Sequence, residues 1–248
     1  MKLKKIKFKN ILLVILVCVF IYATIQIVSF IIDTNANKKE IKQLKDDVIK
    51  KDDDKPSNED TRVIDFDKLL SINSDTMGWI NYNSNKIDYP IVKSSDNEYY
   101  LNRTFEKSYN QAGSIFMDYR NKSFDDKNVV LYGHAMKDNT MFGSLKDIFN
   151  KGFFDIDDNN YIRVTDTNNT EITYKIFSYY IIESEEYYIT TSFDSDDSFK
   201  SFVNTLIKRS YRDFNVEVSS DDNILTLSTC YGSTGTSKRK VIHAKRLK

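Results

Sequence analysis

A cysteine, Cys230, closes the alternating apolar run Asn223-Ile-Leu-Thr-Leu-Ser-Thr-Cys230. A Gly/Ser/Thr stretch follows, and a second apolar run begins directly after Arg239. The pattern predicts two strands joined by a loop, with a thiol at the end of one and a guanidinium at the start of the other. A thiol attacks as thiolate, so it needs a neighbour that lowers its pKa or takes its proton. The chain holds two histidines, His134 and His243. His134 follows Val129-Val-Leu-Tyr132 and Gly133, where a predicted strand opens into a loop, the kind of place where a scaffold presents catalytic groups. His243 lies within the terminal apolar run, where alternate side chains enter a core. His134 is therefore the expected acid/base partner of Cys230. Acyl transfer also needs donors aimed at the developing oxyanion. Arg239, a fork of donors that stays protonated, would stand beside the end of the Cys230 strand if the two strands pair. Lys238 and Arg246 are weaker substitutes. On geometry alone, Arg239 reads equally well as a surface residue among Lys238, Lys240 and Lys245.

The case for a reactive Cys230 depends on where the chain resides. Residues 11–32 are nearly all apolar, and a helix of about 20 such residues crosses a bilayer core. Lys2, Lys4, Lys5, Lys7 and Lys9 precede them, and cationic flanks stay cytoplasmic. A cleaved signal peptide has a shorter apolar region and small residues at its cleavage site, whereas Ser29-Phe-Ile-Ile32 is bulky. The expected layout is a cytoplasmic basic N-terminus (1–10), a single transmembrane anchor (11–32), a charged extracellular linker (33–62) and an extracellular catalytic domain (63–248). Of the two cysteines, Cys18 falls in the anchor, so Cys230 has no partner outside. Extracellular cysteines usually pair as disulfides. An unpaired one is a buried inert thiol, an intermolecular partner or a reactive group, and composition by itself favours the inert reading.

Lysine plus arginine equals aspartate plus glutamate, 36 each, so no general charge argues for a nucleic-acid partner. There is no internal repeat, no Gly-rich phosphate loop and no Cys/His cluster at metal spacing. No metal and no cofactor are expected. The acidic run Asp194-Ser-Asp-Asp197 is better explained as a helix N-terminus than as a calcium site.

The linker is dense in charge and reads as a solvated spacer, with a short helix near 38–50 suggested by Ile41, Leu44 and Val48. Asp65 is placed to cap a short helix whose Phe66, Leu69 and Leu70 point inward. Trp79 reads as a core anchor. Residues 87–92 read as a strand, put at an edge or bulge by Pro90. A short helical or extended segment is expected at 99–101, strands at 113–118 and 128–132, and a helix over 141–149 with Phe142, Leu145, Ile148 and Phe149 on one side. Residues 161–165 and 171–182 form a hairpin across Asp166-Thr-Asn-Asn169. A longer helix over 196–211 turns Phe199, Phe202, Val203, Leu206 and Ile207 to one face. Residues 214–218 suggest another strand. Many short strands with few helices predict an all-β barrel or sandwich with helical insertions.

Thr226-Leu-Ser-Thr-Cys230, followed by Arg239-Lys-Val-Ile and preceded by Tyr132-Gly-His134, resembles the sortases, membrane-anchored cysteine transpeptidases of Gram-positive bacteria. The resemblance runs from about Val63 to the end. Gly113-Ser-Ile-Phe-Met-Asp-Tyr-Arg120, the helix before Trp79 and the long late helix look most like class B. It implies a mostly β fold: a closed barrel of about eight strands with N-terminal helices and a long helix between late strands. It also implies Cys230 as nucleophile, His134 as general acid/base and Arg239 as oxyanion or substrate-positioning group, with Ser228, Thr229 and Tyr132 as candidate substrate contacts. The implied partners are secreted proteins bearing an LPxTG-like sorting motif and the amine of a lipid-linked peptidoglycan precursor. The small residues of the loop 231–238 would let substrate reach both thiol and guanidinium. The rivals are a secreted cysteine hydrolase using water, a non-catalytic surface-tethered binding module, and a pilin-polymerising sortase, which would carry an N-terminal lid and second membrane segment not visible here.

Overall fold

In the computed structural model, residues 8–51, 62–230 and 237–247 are described. Helix α1 (Phe8–Val48) leads into a short ladder of β1 (Ile49–Lys51) and β2 (Arg62–Ile64), and then into helix α2 (Phe66–Ile72). Eight strands follow: β3 (Thr76–Tyr82), β4 (Ile87–Val92), β5 (Ile115–Met117), β6 (Asn128–Tyr132), β7 (Tyr161–Asp166), β8 (Glu171–Glu183), β9 (Ile224–Cys230) and β10 (Lys238–Arg246). They close into a barrel in the order β10-β8-β7-β3-β4-β5-β6-β9. Closure removes sheet edges that would otherwise invite pairing with other chains. The interior is filled by alternate residues of each strand, among them Ile80, Leu131, Val164, Ile176, Leu227 and Ile242, all fully buried.

The expected β7–β8 hairpin is present, turning over Asp166–Thr170 with Asn169 at φ 60°. Pro90, expected at an edge or a bulge, sits one pair from the register shift between Thr76 and Gly78. It faces Trp79 within the β3–β4 ladder, and the parallel ladder to β5 starts at Ile91, so the residue lacking an N–H stands just outside that ladder. Trp79 is buried as expected, and its indole donates to Asp88 at 2.8 Å.

Helix α2 is capped by Asp65, whose Oδ1 accepts from the Lys68 N–H at 3.0 Å. Phe66 and Leu69 are buried, but Leu70 is 38 % exposed. It lies one residue, about 100° of helix, past Leu69. Helix α3 (Asp196–Arg209) starts in a capping box between Ser195 and Ser198. Its Phe199, Phe202, Val203 and Leu206 cover the outer face of β8, β9 and β10, against Phe177, Ile224 and Val241. Ile207, expected on that face, stays half-exposed for the same angular reason. Residues 214–218 form no strand. Phe214, Val216 and Val218 pack on the barrel without joining a ladder, so their apolar alternation reflects burial and not pairing. The helix expected over 141–149 is a 3-10 segment, Gly143–Phe149.

The charged segment after the apolar stretch differs most from expectation. Instead of a solvated spacer with a short helix, α1 runs unbroken from the apolar stretch to Val48. Thr34, Asn37, Ile41, Leu44 and Val48 are all buried. Their spacing of three and four residues forms one stripe that packs on the folded domain. Lys45 of this helix and Arg62 of β2 both pair with Asp88 on β4, at 3.0 and 2.9 Å. Burial pushes the Asp88 carboxyl up, but Lys45, the Trp79 N–H and Arg62 outweigh it and hold it below the usual range. Residues 52–61 of the expected linker lie outside the described residues.

Candidate active site

Strands β6 and β9 are parallel neighbours, with Tyr132 opposite Ser228. The residues two positions on are His134 and Cys230, so both emerge from the same rim of the barrel on adjacent strands, which lie about 4.8 Å apart. On its other side β9 pairs antiparallel with β10, and there Cys230 stands directly opposite Arg239. The loop 231–238 joins these partners, and its residues 231–236 lie outside the described residues. Three neighbouring strands thus bring the thiol-bearing residue, an imidazole and a guanidinium to one rim.

A cleft of about 250 Å³ opens at this rim, lined by His134, Arg239, Ser228, Thr229 and Tyr132 together with residues of two loop segments. His134 and Arg239 are half-buried. The His134 Nε2 sits 2.7 Å from the Leu101 carbonyl. A carbonyl oxygen only accepts, so Nε2 carries a proton here and Nδ1 is left for exchange. The backbone after His134 is pinned by a bond from Phe142 N–H to the His134 carbonyl at 2.9 Å and by a bridge between Ala135 and Met141. Gly133 supplies the close approach before it: a Cβ there would lie 2.4 Å from Ile115 Cδ1.

Thr229 donates to the Gly133 carbonyl at 2.6 Å, tying the Cys230 strand to the hinge before His134. Ser228 Oγ and Tyr188 OH share a hydrogen bond at 3.1 Å. The Tyr132 hydroxyl donates to Asp118 Oδ2 at 2.8 Å, so its ring, rather than a free hydroxyl, is what it offers to the cleft. Burial, and then Asp118, push the Tyr132 phenol well above its ordinary value, so it stays protonated. Lys238 Nζ lies 4.0 Å from Glu183, and Arg246 pairs with Asp125 toward the opposite end of β10.

Two residues that sequence reasoning passed over organise this wall. Asp118, fully buried, also accepts from Asn97 Nδ2 at 3.0 Å and from Arg120 Nε and Nη2 at 2.8 and 2.7 Å. Arg120 donates onward to the Ile189 carbonyl at 2.9 Å. Burial pushes the Asp118 carboxyl up, but bonds from Arg120 and Tyr132 bring it below its ordinary value, so it stays ionised. It thereby joins β6 to both loop segments of the cleft.

His243 is absent from the cleft. It faces Thr226 on the same ladder, fully buried, with Nδ1 2.9 Å from Thr226 Oγ1 and Nε2 2.8 Å from Tyr180 OH. The single hydroxyl proton of Thr226 goes to Asn128 Oδ1 at 2.7 Å. Nδ1 must therefore carry the proton and Nε2 accept from Tyr180. Burial, and then the Arg209 charge, push His243 down to about 3. Among the described residues no three His, Cys, Asp or Glu side chains gather as a metal-binding group.

Comparison with known proteins agrees with this architecture. Residues 80–247 match the sortase domain family. The chain is 39 % identical to sortase B of Listeria monocytogenes over 163 residues, a match spanning 65 % of each protein. It is 35 % identical to sortase B of Staphylococcus aureus over 74 % of this chain and 75 % of that one. The crystal structure of sortase B from Bacillus anthracis superposes with a TM-score of 0.75 at 33 % identity, covering 88 % of this chain and 99 % of the other. With its closed barrel and the β6–β9–β10 rim, this chain belongs to the sortase family of cysteine transpeptidases and is class B-like.

Proposed function

We propose that the cleft is the catalytic centre of a membrane-tethered transpeptidase in which Cys230 is the nucleophile, His134 the general acid/base and Arg239 the oxyanion group. The observation that carries this reading is the strand register. Cys230 faces Arg239 across β9–β10, and it follows Ser228 by the same two residues that separate His134 from Tyr132 on the parallel neighbour.

The Cys230 thiolate attacks the threonine carbonyl of an LPxTG-like sorting motif on a secreted protein. Arg239 meets the charge that develops on the carbonyl oxygen, where preorganised donors act most strongly. His134, as imidazolium, gives a proton from Nδ1 to the leaving amine, and a thioester to Cys230 remains. The amine of a lipid-linked peptidoglycan precursor then attacks the thioester and loses its proton to His134, and the thiolate leaves. Ser228, Thr229 and the Tyr132 ring bound the pocket that holds the peptide. The apolar segment 11–32 supports a single-pass anchor, and the lysines before it support a cytoplasmic N-terminus with the barrel outside the cell.

The test is an acceptor assay. The domain is incubated with a library of sorting-motif peptides, with and without a triglycine amine. The expected product is the peptide fragment joined to triglycine. Cleavage that never incorporates the amine would make the enzyme a hydrolase. No cleavage of any motif would remove the peptide reading.

A further inference from the structure

The packing of α1 on the folded domain directly after the apolar stretch bears on how the enzyme meets its membrane. Residues 11–32 as helix are about 33 Å long, close to the ~30 Å hydrocarbon core. The headgroup layer on each side adds only about 5–7 Å. Within that short distance α1 is already covered by the folded domain. Thr34 and Asn37, two and five residues past the apolar segment, are buried. One residue past the apolar segment, Asn110 Nδ2 donates to the Asp33 carbonyl at 2.8 Å. Between one and two turns further along, Lys38 pairs with Asp138 at 2.8 Å and Glu40 Oε1 accepts from the Glu106 N–H at 3.3 Å. The loop from Arg103 to Gln111 is thus fixed to the helix at the depth where the helix leaves lipid.

The exposed residues of that loop suit this depth. Asn110 is buried between exposed neighbours, and Tyr109 beside it is 67 % exposed. Tyrosine is enriched at membrane–water interfaces, where its ring meets the acyl boundary and its hydroxyl the headgroups. We propose that the 103–111 loop, led by Tyr109, is a membrane-contacting surface that seats the catalytic barrel directly on the phospholipid headgroup layer. The inference rests on residues 11–32 crossing the bilayer.

The seat also sets the height of the cleft. Asn110 N–H donates to the Asn102 carbonyl at 3.0 Å, and the preceding residue, Leu101, accepts from His134. Three hydrogen bonds and a few residues therefore connect the helix exit to the cleft rim. An amine carried on a lipid would reach the thioester without leaving the membrane surface.

The experiment uses the full chain in vesicles of phosphatidylcholine and phosphatidylglycerol whose acyl chains are brominated next to the headgroup. The parent has one tryptophan, the buried Trp79. Tyr109→Trp adds a reporter in the loop. Tyr211→Trp adds one at an exposed site beyond α3. The expected result is loss of the added emission to bromine in Tyr109→Trp and no such loss in Tyr211→Trp. A Gly/Ser insertion after Ile32 should restore the Tyr109→Trp emission. If the vesicles carry the protein but both reporters are equally unquenched, the barrel stands off the membrane and the proposal fails while the anchor stands. A blue-shifted but unquenched Tyr109→Trp would mean that a second copy of the chain covers the loop, which also overturns it. Protein that does not float with vesicles would refute the anchor itself.

Discussion

The β9–β10 ladder carries two polar pairs on one face, and they have opposite fates. At the rim, Cys230 faces Arg239 beside a cleft that His134 also lines. Four residues deeper, about 13 Å along the strand, Thr226 faces His243. The deeper pair lies under α3 and is closed to solvent, with both ring nitrogens bound and the ring packed against Phe177 at 6.0 Å. Helix α3 and its cluster with Val241 and Ile224 make the difference. In the proposed function the rim histidine, His134, carries the proton, whereas His243, covered by α3, is a neutral strut. His134 follows β6 at the open rim and lines the cleft, whereas His243 is sealed within the β9–β10 ladder under α3.

This contrast can be broken most severely at the rim. Cys230→Ala should abolish turnover of a sorting peptide, and His134→Asn should lower kcat by about 10²–10⁴, the usual worth of general acid/base catalysis. His243→Gln should leave kcat near the wild-type level. Equal losses for the two histidine variants in the same steady-state assay would erase the distinction. A smaller effect is expected at Arg239→Lys, which keeps the charge but loses the planar fork. Loss of an oxyanion donor typically costs about 10²–10³ in kcat. A change confined to KM would assign Arg239 to substrate binding instead.

The weakest expected effect is on stability and belongs to the deeper pair. His243 is held near 3 in the fold, against about 6.5 in an unfolded chain. Its pKa is depressed, so the unfolded state binds the extra proton between these values. The stability it contributes is present above about pH 6.5 and is lost as pH falls toward 3. The slope is about 1.4 kcal/mol per pH unit. Denaturant unfolding of wild type and His243→Gln should therefore converge as pH drops from 6.5 to 5, because the wild type alone loses this increment. Parallel curves would mean that His243 titrates normally and is not sealed.

Much of this was legible in the residues. The strands ending at Tyr132 and Cys230, the helix capped near Asp196, and the assignment of His134 and His243 to loop and strand all follow from local periodicity. Adjacency did not. Nothing local says that β6 lies parallel to β9, since their contact joins residues separated by about half of the domain. Asp118 and Arg120 enter the sequence reading only as part of a resemblance, with no role, for a related reason: a carboxylate and a guanidinium two residues apart look like surface charge until Tyr132, Asn97 and Ile189 are brought to them. The stripe on α1 was half visible. Ile41, Leu44 and Val48 marked it, but its continuation through Asn37 and Thr34 is polar, and the surrounding charge reads as solvated chain. Leu70 and Ile207 were assigned to buried faces because apolar residue type was taken for direction, and each lies one helical step off its face.

The central claim is that the rim pair forms a covalent intermediate at Cys230. Intact-protein mass spectrometry after mixing with a sorting-motif peptide in the absence of an amine tests it most directly. A mass increase equal to the acyl fragment is predicted, mapped to Cys230 by digestion, removed by hydroxylamine, and missing from Cys230→Ala. An adduct on another residue, or turnover by Cys230→Ala, would contradict it.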